Sequence, residues 1–314
     1  MLKYATKRIL FAIPTLLLVA IAVFAMLHLI PGDPAQLLLG DIESPQALAH
    51  LHEQLGLDQP LSTQFLRWIA RVLHGDFGTS IVQQRPVLDM LLGSFAVTAS
   101  LVIPAVVLAA LIAIPVGMLA AWKQNTFVDT SVMTLAIVFM SIPSFWLGLL
   151  FLMLFGVKLD LFPVVGYVSP LENFGEGIQY LVMPVVSLAL IETGVIVRMA
   201  RASTIEVLRL EYITHARAKG LSEPAVALRH ALKNTMAPTW TLIGLSLGAL
   251  LGGAVVTETV FTIPGIGRLL VDSIFARDYP VVQGCLLFVT AIYVGVNLLI
   301  DLSYPLFDPR VRLS

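Results

Sequence analysis

Glu192 is the residue whose position demands the most explanation. It follows Leu188, Ala189, Leu190 and Ile191 and precedes Val195, Ile196 and Val197, in the middle of a long apolar run. A carboxylate at such depth in a membrane costs about 2.5–3.5 kcal/mol unless protein or water receives it. Two uses are open to it: lining a path and meeting a cationic group of a solute, or accepting a hydrogen bond from a neighbouring helix. Gly244-Leu245-Ser246-Leu247-Gly248 has the spacing of a G-x-S-x-G nucleophile, but that motif acts only on a strained strand-to-helix turn with acid and histidine partners. Here it lies inside an apolar run, and Gly244, Gly248 and Gly252 recur at the four-residue interval that lets helices approach closely. Packing is the expected role. His52-Glu53 opens an H-E-x-x-H pattern, yet Gly56 stands where the second histidine would be, so no zinc site follows. The single cysteine, Cys285, has no second thiol to pair with and reads as inert packing. Glu258 and Asp301 lie near the ends of apolar runs, where solvation is expected, and His28 is expected at an interface. Arg198 and Arg201 are expected to snorkel towards headgroups.

The elements that must position these residues are membrane helices. Of 314 residues 58% are hydrophobic and 12% charged, and the mean hydropathy is +0.90. Such a chain has more apolar surface than a soluble core can bury. The net charge of -1 gives no electrostatic reason for a nucleic-acid partner. Crossing the hydrocarbon as helix takes about 20 apolar residues, and six runs qualify: 9–30, 96–121, 130–157, 179–199, 237–257 and 281–303. Lys3, Lys7 and Arg8 before the first run would also suit a signal peptide, but the run continues past Ala20-Ile21-Ala22 to Ile30, which favours an uncleaved span. With the N-terminus inside, thirteen of the nineteen Lys and Arg fall in the inner segments. The positive-inside rule selects that orientation and puts both termini in the cytoplasm.

Two polar segments stand out. Residues 31–95 form a small outer cap: Pro31-Gly32-Asp33-Pro34 stops the first helix, Leu57-Asp58-Gln59-Pro60-Leu61 makes a turn, and Phe65, Leu66, Ile69 and Val72 recur at helical spacing. The cap is either a lid tying two spans together or a surface for a soluble partner. The inner segment 198–236 is basic and patterned as two helices, with Ile205, Leu208, Tyr212, Ile213 and Ala216 on one face and Glu206, Arg209, Thr214, Arg217 and Lys219 on the other. Gly220 ends the first helix as a C′ residue, and Ser222 is placed to cap a second with Glu223 and Pro224 in its first turn. A glycine-cornered pair of helices suits docking to a soluble protein better than lying on lipid, which needs no corner.

The run Glu211-Tyr212-Ile213-Thr214-His215-Ala216-Arg217-Ala218-Lys219-Gly220-Leu221-Ser222, between the fourth and fifth spans, resembles the EAA loop of ABC importer permeases in its peptide and nickel form. Ala216 and Gly220 match the family's spacing. Thr214 and His215 replace the generic Glu and Ala, and the proline after the loop is delayed to Pro238. Three further stretches are similar to the peptide/nickel subfamily: Ile30-Pro31-Gly32-Asp33-Pro34; Leu55-Gly56-Leu57-Asp58-Gln59-Pro60-Leu61 with Gly75-Asp76-Phe77-Gly78; and Val260-Phe261-Thr262-Ile263-Pro264-Gly265-Ile266-Gly267-Arg268-Leu269-Leu270 with Arg277-Asp278-Tyr279-Pro280. Together they cover essentially the whole chain.

The resemblance implies an all-α integral membrane protein of the bacterial inner membrane, with six transmembrane helices in the type I ABC importer permease fold. Its expected parts are a first helix (1–30), a periplasmic cap (31–95), a five-helix core (96–306) with the EAA loop at 200–236, and a tail (307–314). It implies a permease subunit that forms half of a path for small peptides or a related solute. Expected partners are a second homologous permease, two cytoplasmic ATPase subunits, a periplasmic solute-binding protein and the lipid membrane. Glu211, Tyr212, Thr214, His215, Ala216, Arg217, Ala218, Lys219, Gly220 and Leu221 are then the coupling residues that meet the ATPase. The chain has no G-x-x-x-x-G-K-[ST] phosphate loop, so ATP is expected on the partner ATPases, with no cofactor, metal or catalytic residue on this chain. A polytopic membrane enzyme is the alternative reading; it would need a convergent nucleophile, acid pair or metal set. The solute itself, whether dipeptide, oligopeptide, glutathione, nickel chelate or another, is not legible, because half the path and most of the selectivity belong to partners.

Overall fold

The computed structural model describes residues 2–29 and 58–303. Within them the chain is helical apart from its turns and an isolated antiparallel bridge between Thr79 and Pro86. In order the helices are α1 (Leu2–Leu29), α2 (Leu61–Leu73), α3 (Val87–Trp122), α4 (Phe127–Ser141), α5 (Ser144–Phe151, extended by a π-helical stretch Leu152–Lys158) and α6 (Phe174–Leu208). There follow α7 (Glu211–Ala218), α8 (Glu223–Val226, joined through π-helical Ala227–Ala231 to α9), α9 (Leu232–Gly253), α10 (Val255–Val260), α11 (Ile266–Phe275) and α12 (Tyr279–Ser303). The Pro31–Pro34 stop, His52-Glu53, Leu55-Gly56-Leu57, the side chain of His28 and the tail 307–314 lie outside the described residues.

Among the described residues five helical stretches are long and apolar enough to cross a membrane, and α4 with α5 makes a sixth if the bent pair is one span. The expected third run, 130–157, is therefore not one straight helix: it bends by 95°. The cause is Pro143, which has no N–H to continue the ladder and pushes the residue before it out of the helical region. Ile142 accordingly has φ -78° and ψ 124°. Ser141 turns its hydroxyl back to the Ile137 carbonyl at 2.8 Å.

One compact unit comprises Met1–Leu10, Phe95–Arg268 and Ile292–Ser314. Its core is built on small residues. Ala105, Ala109, Ala113, Gly117 and Ala121 form a buried stripe at four-residue spacing on α3, and a Cβ on Gly117 would meet the Val197 carbonyl of α6 at 2.7 Å. Gly194 of α6 lies as tightly against α4, where a Cβ would stand 2.6 Å from the Ala136 carbonyl. Between helices in lipid, backbone proximity of this kind supplies the dispersion contact that water expulsion cannot. On α9, Gly244 faces Ile300 and Gly248 faces Tyr293 of α12, with no room for a side chain at Gly244. Packing is thus the role the geometry gives to the G-x-S-x-G residues.

The other unit comprises Phe11–Ser94 and Leu269–Ala291. There α2 sets Phe65 and Trp68 against Phe24 of α1, with ring centroids 5.4 and 5.7 Å apart, while Leu66 is exposed. Buried Asp278 accepts bonds from the Ser80 hydroxyl (2.5 Å) and from the N–H groups of Ile81 (3.1 Å) and Val82 (3.3 Å). The glycines of Gly75-Asp76-Phe77-Gly78 both adopt positive φ, 84° and 85°, and Gly78 N–H closes a turn on Asp76 at 2.9 Å. Gly78 lies against Pro280, so two stretches far apart in the sequence meet in one cluster.

Candidate functional site: the loop between the fourth and fifth spans

The segment after α6 breaks at Arg209 and Leu210, where Leu210 takes an extended ψ of 142°. The break resets the helical register. Ile213 and Ala216 are buried, but Tyr212 is exposed, and from the end of α6 the buried residues are Ser203, Thr204 and Val207, with Ile205 and Leu208 only half-buried. The single apolar face expected for 205–216 is therefore two faces. Ile213 and Ala216 pack with Val207, Val226, Ala231 and Met118 of α3 in a small core of their own.

Helix α7 closes with a full Schellman motif. Gly220 N–H bonds the Arg217 carbonyl at 2.9 Å and Leu221 N–H reaches the Ala216 carbonyl at 3.4 Å. Gly220 holds φ 80° at the C′ position, as its place in the sequence predicts. The second helix starts at Ser222 with Glu223 and Pro224 in its first turn, as expected, but the Ser222 hydroxyl makes no cap bond. Nor is that helix separate: from Glu223 the chain runs as one helical path into the fifth span.

Glu223 braces the corner instead of serving a cap. Arg217 donates to it through Nε (2.8 Å) and Nη2 (3.0 Å), and Trp122 donates its indole N–H at 2.6 Å. These donors, Arg217 foremost, hold the Glu223 carboxyl below its ordinary range. The Asn234 amide donates to the Tyr212 hydroxyl at 2.6 Å and ties α7 to the foot of α9. The outward surface is left to Glu211, Thr214, His215, Ala218, Lys219 and Gly220, beside Leu228, which is 68% exposed. Leu221 is half-buried at the corner. A stiff polar knob with an apolar backing is what this arrangement offers to a partner.

The remaining candidates fall as follows. Glu192 is half-buried beside Ser246 of α9, and its Oε2 is enclosed without a partner among the described residues. Glu258 is not solvated: it is 0% exposed. The Thr98 hydroxyl donates to it at 2.5 Å, Arg268 N–H at 2.9 Å, and Ile266 N–H donates to Thr98 Oγ1 at 2.9 Å. Gly265 and Gly267 wrap the carboxylate so closely that a Cβ on either would collide with its surroundings. Asp301 does not stand alone at the interface but pairs with Arg8 at 3.0 Å. Arg201 does not snorkel: its Nε and Nη2 reach Asp129 at 2.5 and 2.7 Å. Arg198 is exposed and Cys285 is buried. Among the described residues no three His, Cys, Asp or Glu side chains gather as metal ligands would.

Sequence reasoning missed Asp129, Trp122 and Asp278. Their partners lie 72, 101 and 198 residues away, beyond any local periodicity.

Residues 113–313 match the family described as binding-protein-dependent transport system inner membrane component, and residues 1–102 match its N-terminal family, binding-protein-dependent transport system membrane component. The glutathione transport system permease protein GsiC of Salmonella typhimurium is 43% identical over 312 residues, covering 99% of both chains. The dipeptide transport system permease protein DppB of Alkalihalophilus pseudofirmus is 40% identical over 332 residues, covering 99% of this chain and all (100%) of that one. A putative peptide transport system permease protein of Brucella abortus is 42% identical over 306 residues, 98% of each. Among solved structures, the methionine ABC transporter MetNI in an inward-facing conformation matches with a TM-score of 0.53 at 17% identity, over 71% of this chain and 95% of that one, which speaks to fold alone. Helices, small-residue packing and the glycine-cornered loop converge with these matches on one conclusion: the chain belongs to the binding-protein-dependent transport system inner membrane components, as a multi-pass ABC importer permease of the peptide class.

Proposed function

We propose that this chain forms half of the translocation path of a type I importer for small peptides or a related solute. The five-helix core 96–306 pairs with a second homologous permease, two cytoplasmic ATPases engage the complex from below, and a periplasmic solute-binding protein delivers from above. Both termini are then cytoplasmic, with 31–95 as the periplasmic cap and 307–314 as the tail. The solutes for which the relatives are named, glutathione, dipeptide and peptide, favour a solute with peptide bonds and free ionic ends.

The observation that carries the reading is the Schellman corner at Gly220 on a knob whose inner face, Ile213 and Ala216, is buried and whose outer face is free. Such a body transmits force without deforming. Glu211, Tyr212, Thr214, His215, Ala216, Arg217, Ala218, Lys219, Gly220 and Leu221 would seat in or support a cleft of the ATPase, and rocking of the spans would alternate access. Hydrolysis itself belongs to that separate subunit. The test is reconstitution with the ATPase, where Gly220→Val should hydrolyse ATP yet import little; full coupled import would refute the assignment.

Glu192 belongs to the same proposal as a group lining the path. Its partnerless Oε2 beside Ser246 supports this, because a cation arriving there would gain a charge-assisted bond. Glu192→Gln should then lower uptake of a peptide with a free α-ammonium group more than that of its N-acetylated form. Equal uptake of both would leave Glu192 as an interhelical hydrogen bond only.

A further inference from the structure

The turn joining α3 to α4, residues 123–126, is tied at both ends to the elements that carry the coupling knob. At its start Trp122 is bonded to Glu223, the same carboxylate that Arg217 of α7 grips. At its end Asp129, 4% exposed, receives the two-pronged bond from Arg201 together with the Asn125 N–H at 2.9 Å. Arg201 lies two turns before the end of α6, the helix that leads through Arg209 and Leu210 into α7. Gly117 and Gly194 meanwhile bring the backbones of α3 and α4 into direct contact with that same helix.

A buried ion pair is a poor device for stability, since packed apolar side chains of equal volume often do as well; its better-attested use is to fix register. A guanidinium fork on a carboxylate that is also held by a backbone N–H fixes direction as well as distance. In lipid, where apolar surfaces slide past one another at little cost, such a pin decides whether one helix follows its neighbour.

We propose that the α3–α4 turn and the coupling loop form one mechanical body, and that the Asp129–Arg201 pair is the latch that makes α4 follow α6 when the knob is displaced. Asp129 and Arg201 are positioning residues; they touch neither solute nor ATP. The inference rests on the coupling assignment above.

The experiment uses the complete reconstituted transporter, and reads solute imported per ATP hydrolysed, normalised to assembled complex. Asp129→Asn and Arg201→Gln should each lower that ratio about fivefold or more, and the reversed pair Asp129→Arg with Arg201→Asp should recover most of it. Spin labels on introduced Gln124→Cys and Thr214→Cys, both exposed positions, should keep one distance distribution in nucleotide-free and ATP-locked complexes. An unchanged ratio in both single variants, or a label distance that shifts between the two states, overturns the latch. The labels require no change to the pair, so the inference stands or falls even where the charge variants fail to assemble. If Gly220→Val couples normally, the knob assignment fails, whereas moving labels in a normally coupled wild type remove the latch alone.

Discussion

Trp122, the last residue of α3, donates its indole N–H to Glu223 at 2.6 Å, 101 residues further along the chain. One side chain at the foot of a span thereby shares a carboxylate with Arg217, across the corner of the adjacent loop. The sharing makes the corner sensitive to acid.

Glu223 titrates below its ordinary range because its ionised form is the one that accepts these bonds. Its contribution is full above the unfolded carboxyl value and is lost as pH falls through the lowered folded value. In 19F spectra of the fluorotryptophan-labelled protein, the Trp122 resonance should move only in that acid window. In Glu223→Gln the movement should vanish.

Gly220 separates conformation from clash. Its φ of 80° is costly for any residue with a Cβ, about 1–2 kcal/mol, yet nothing lies within 4 Å of the place a Cβ would take. Gly220→Asn should therefore keep most coupling and Gly220→Ala part of it, whereas Gly220→Val should lose most. Import per ATP across the series is the measurement, and an order set by side-chain volume would argue against this account.

Gly244 has no such freedom, because a Cβ there overlaps Ile300. Gly244→Ala should destabilise by about 1–3 kcal/mol, the usual cost of overpacking, seen as a lower midpoint in detergent unfolding. Ile300→Ala in the same chain should restore part of it, whereas a catalytic role for the motif would predict no rescue.

Glu258 anchors the glycine-rich turn before α11. Glu258→Ala strands the Thr98 hydroxyl and the Arg268 N–H, at about 1–3 kcal/mol for each buried group left unsatisfied. Glu258→Gln keeps one acceptor and nearly the same volume. The alanine variant should unfold well before the glutamine variant; coincident midpoints would mean that neither the bulk nor the acceptor oxygen that glutamine keeps supports the turn.

What the sequence made legible follows period and punctuation. Runs of about 20 apolar residues announce spans because the bilayer fixes their length. Gly220 announced its corner because few other residues sit comfortably at positive φ. The bend at Pro143 carries a local signal too, a proline inside an apolar run, but the signal is ambiguous, since the prolines within α3, α6 and α9 leave those helices continuous. By contrast Glu258 and Arg201 looked solvated by their depth, and each is instead held by groups distant in sequence; Asp301 stays partly exposed and gains only the Arg8 partner. Depth along one helix says nothing about which neighbour will be there. Small-residue stripes are visible in principle, as Ala105 to Ala121 shows, but reading them requires attention to alanine as well as glycine.

The 95° break at Ile142-Pro143 imposes a requirement on the surroundings of the protein. An interrupted ladder leaves peptide carbonyls without their usual donors, and hydrocarbon cannot hydrate them. At the recess bordered by Ile137, Ser141, Pro143 and Trp146, a donor from water or from another polypeptide would therefore be worth more to the fold than one more acyl chain.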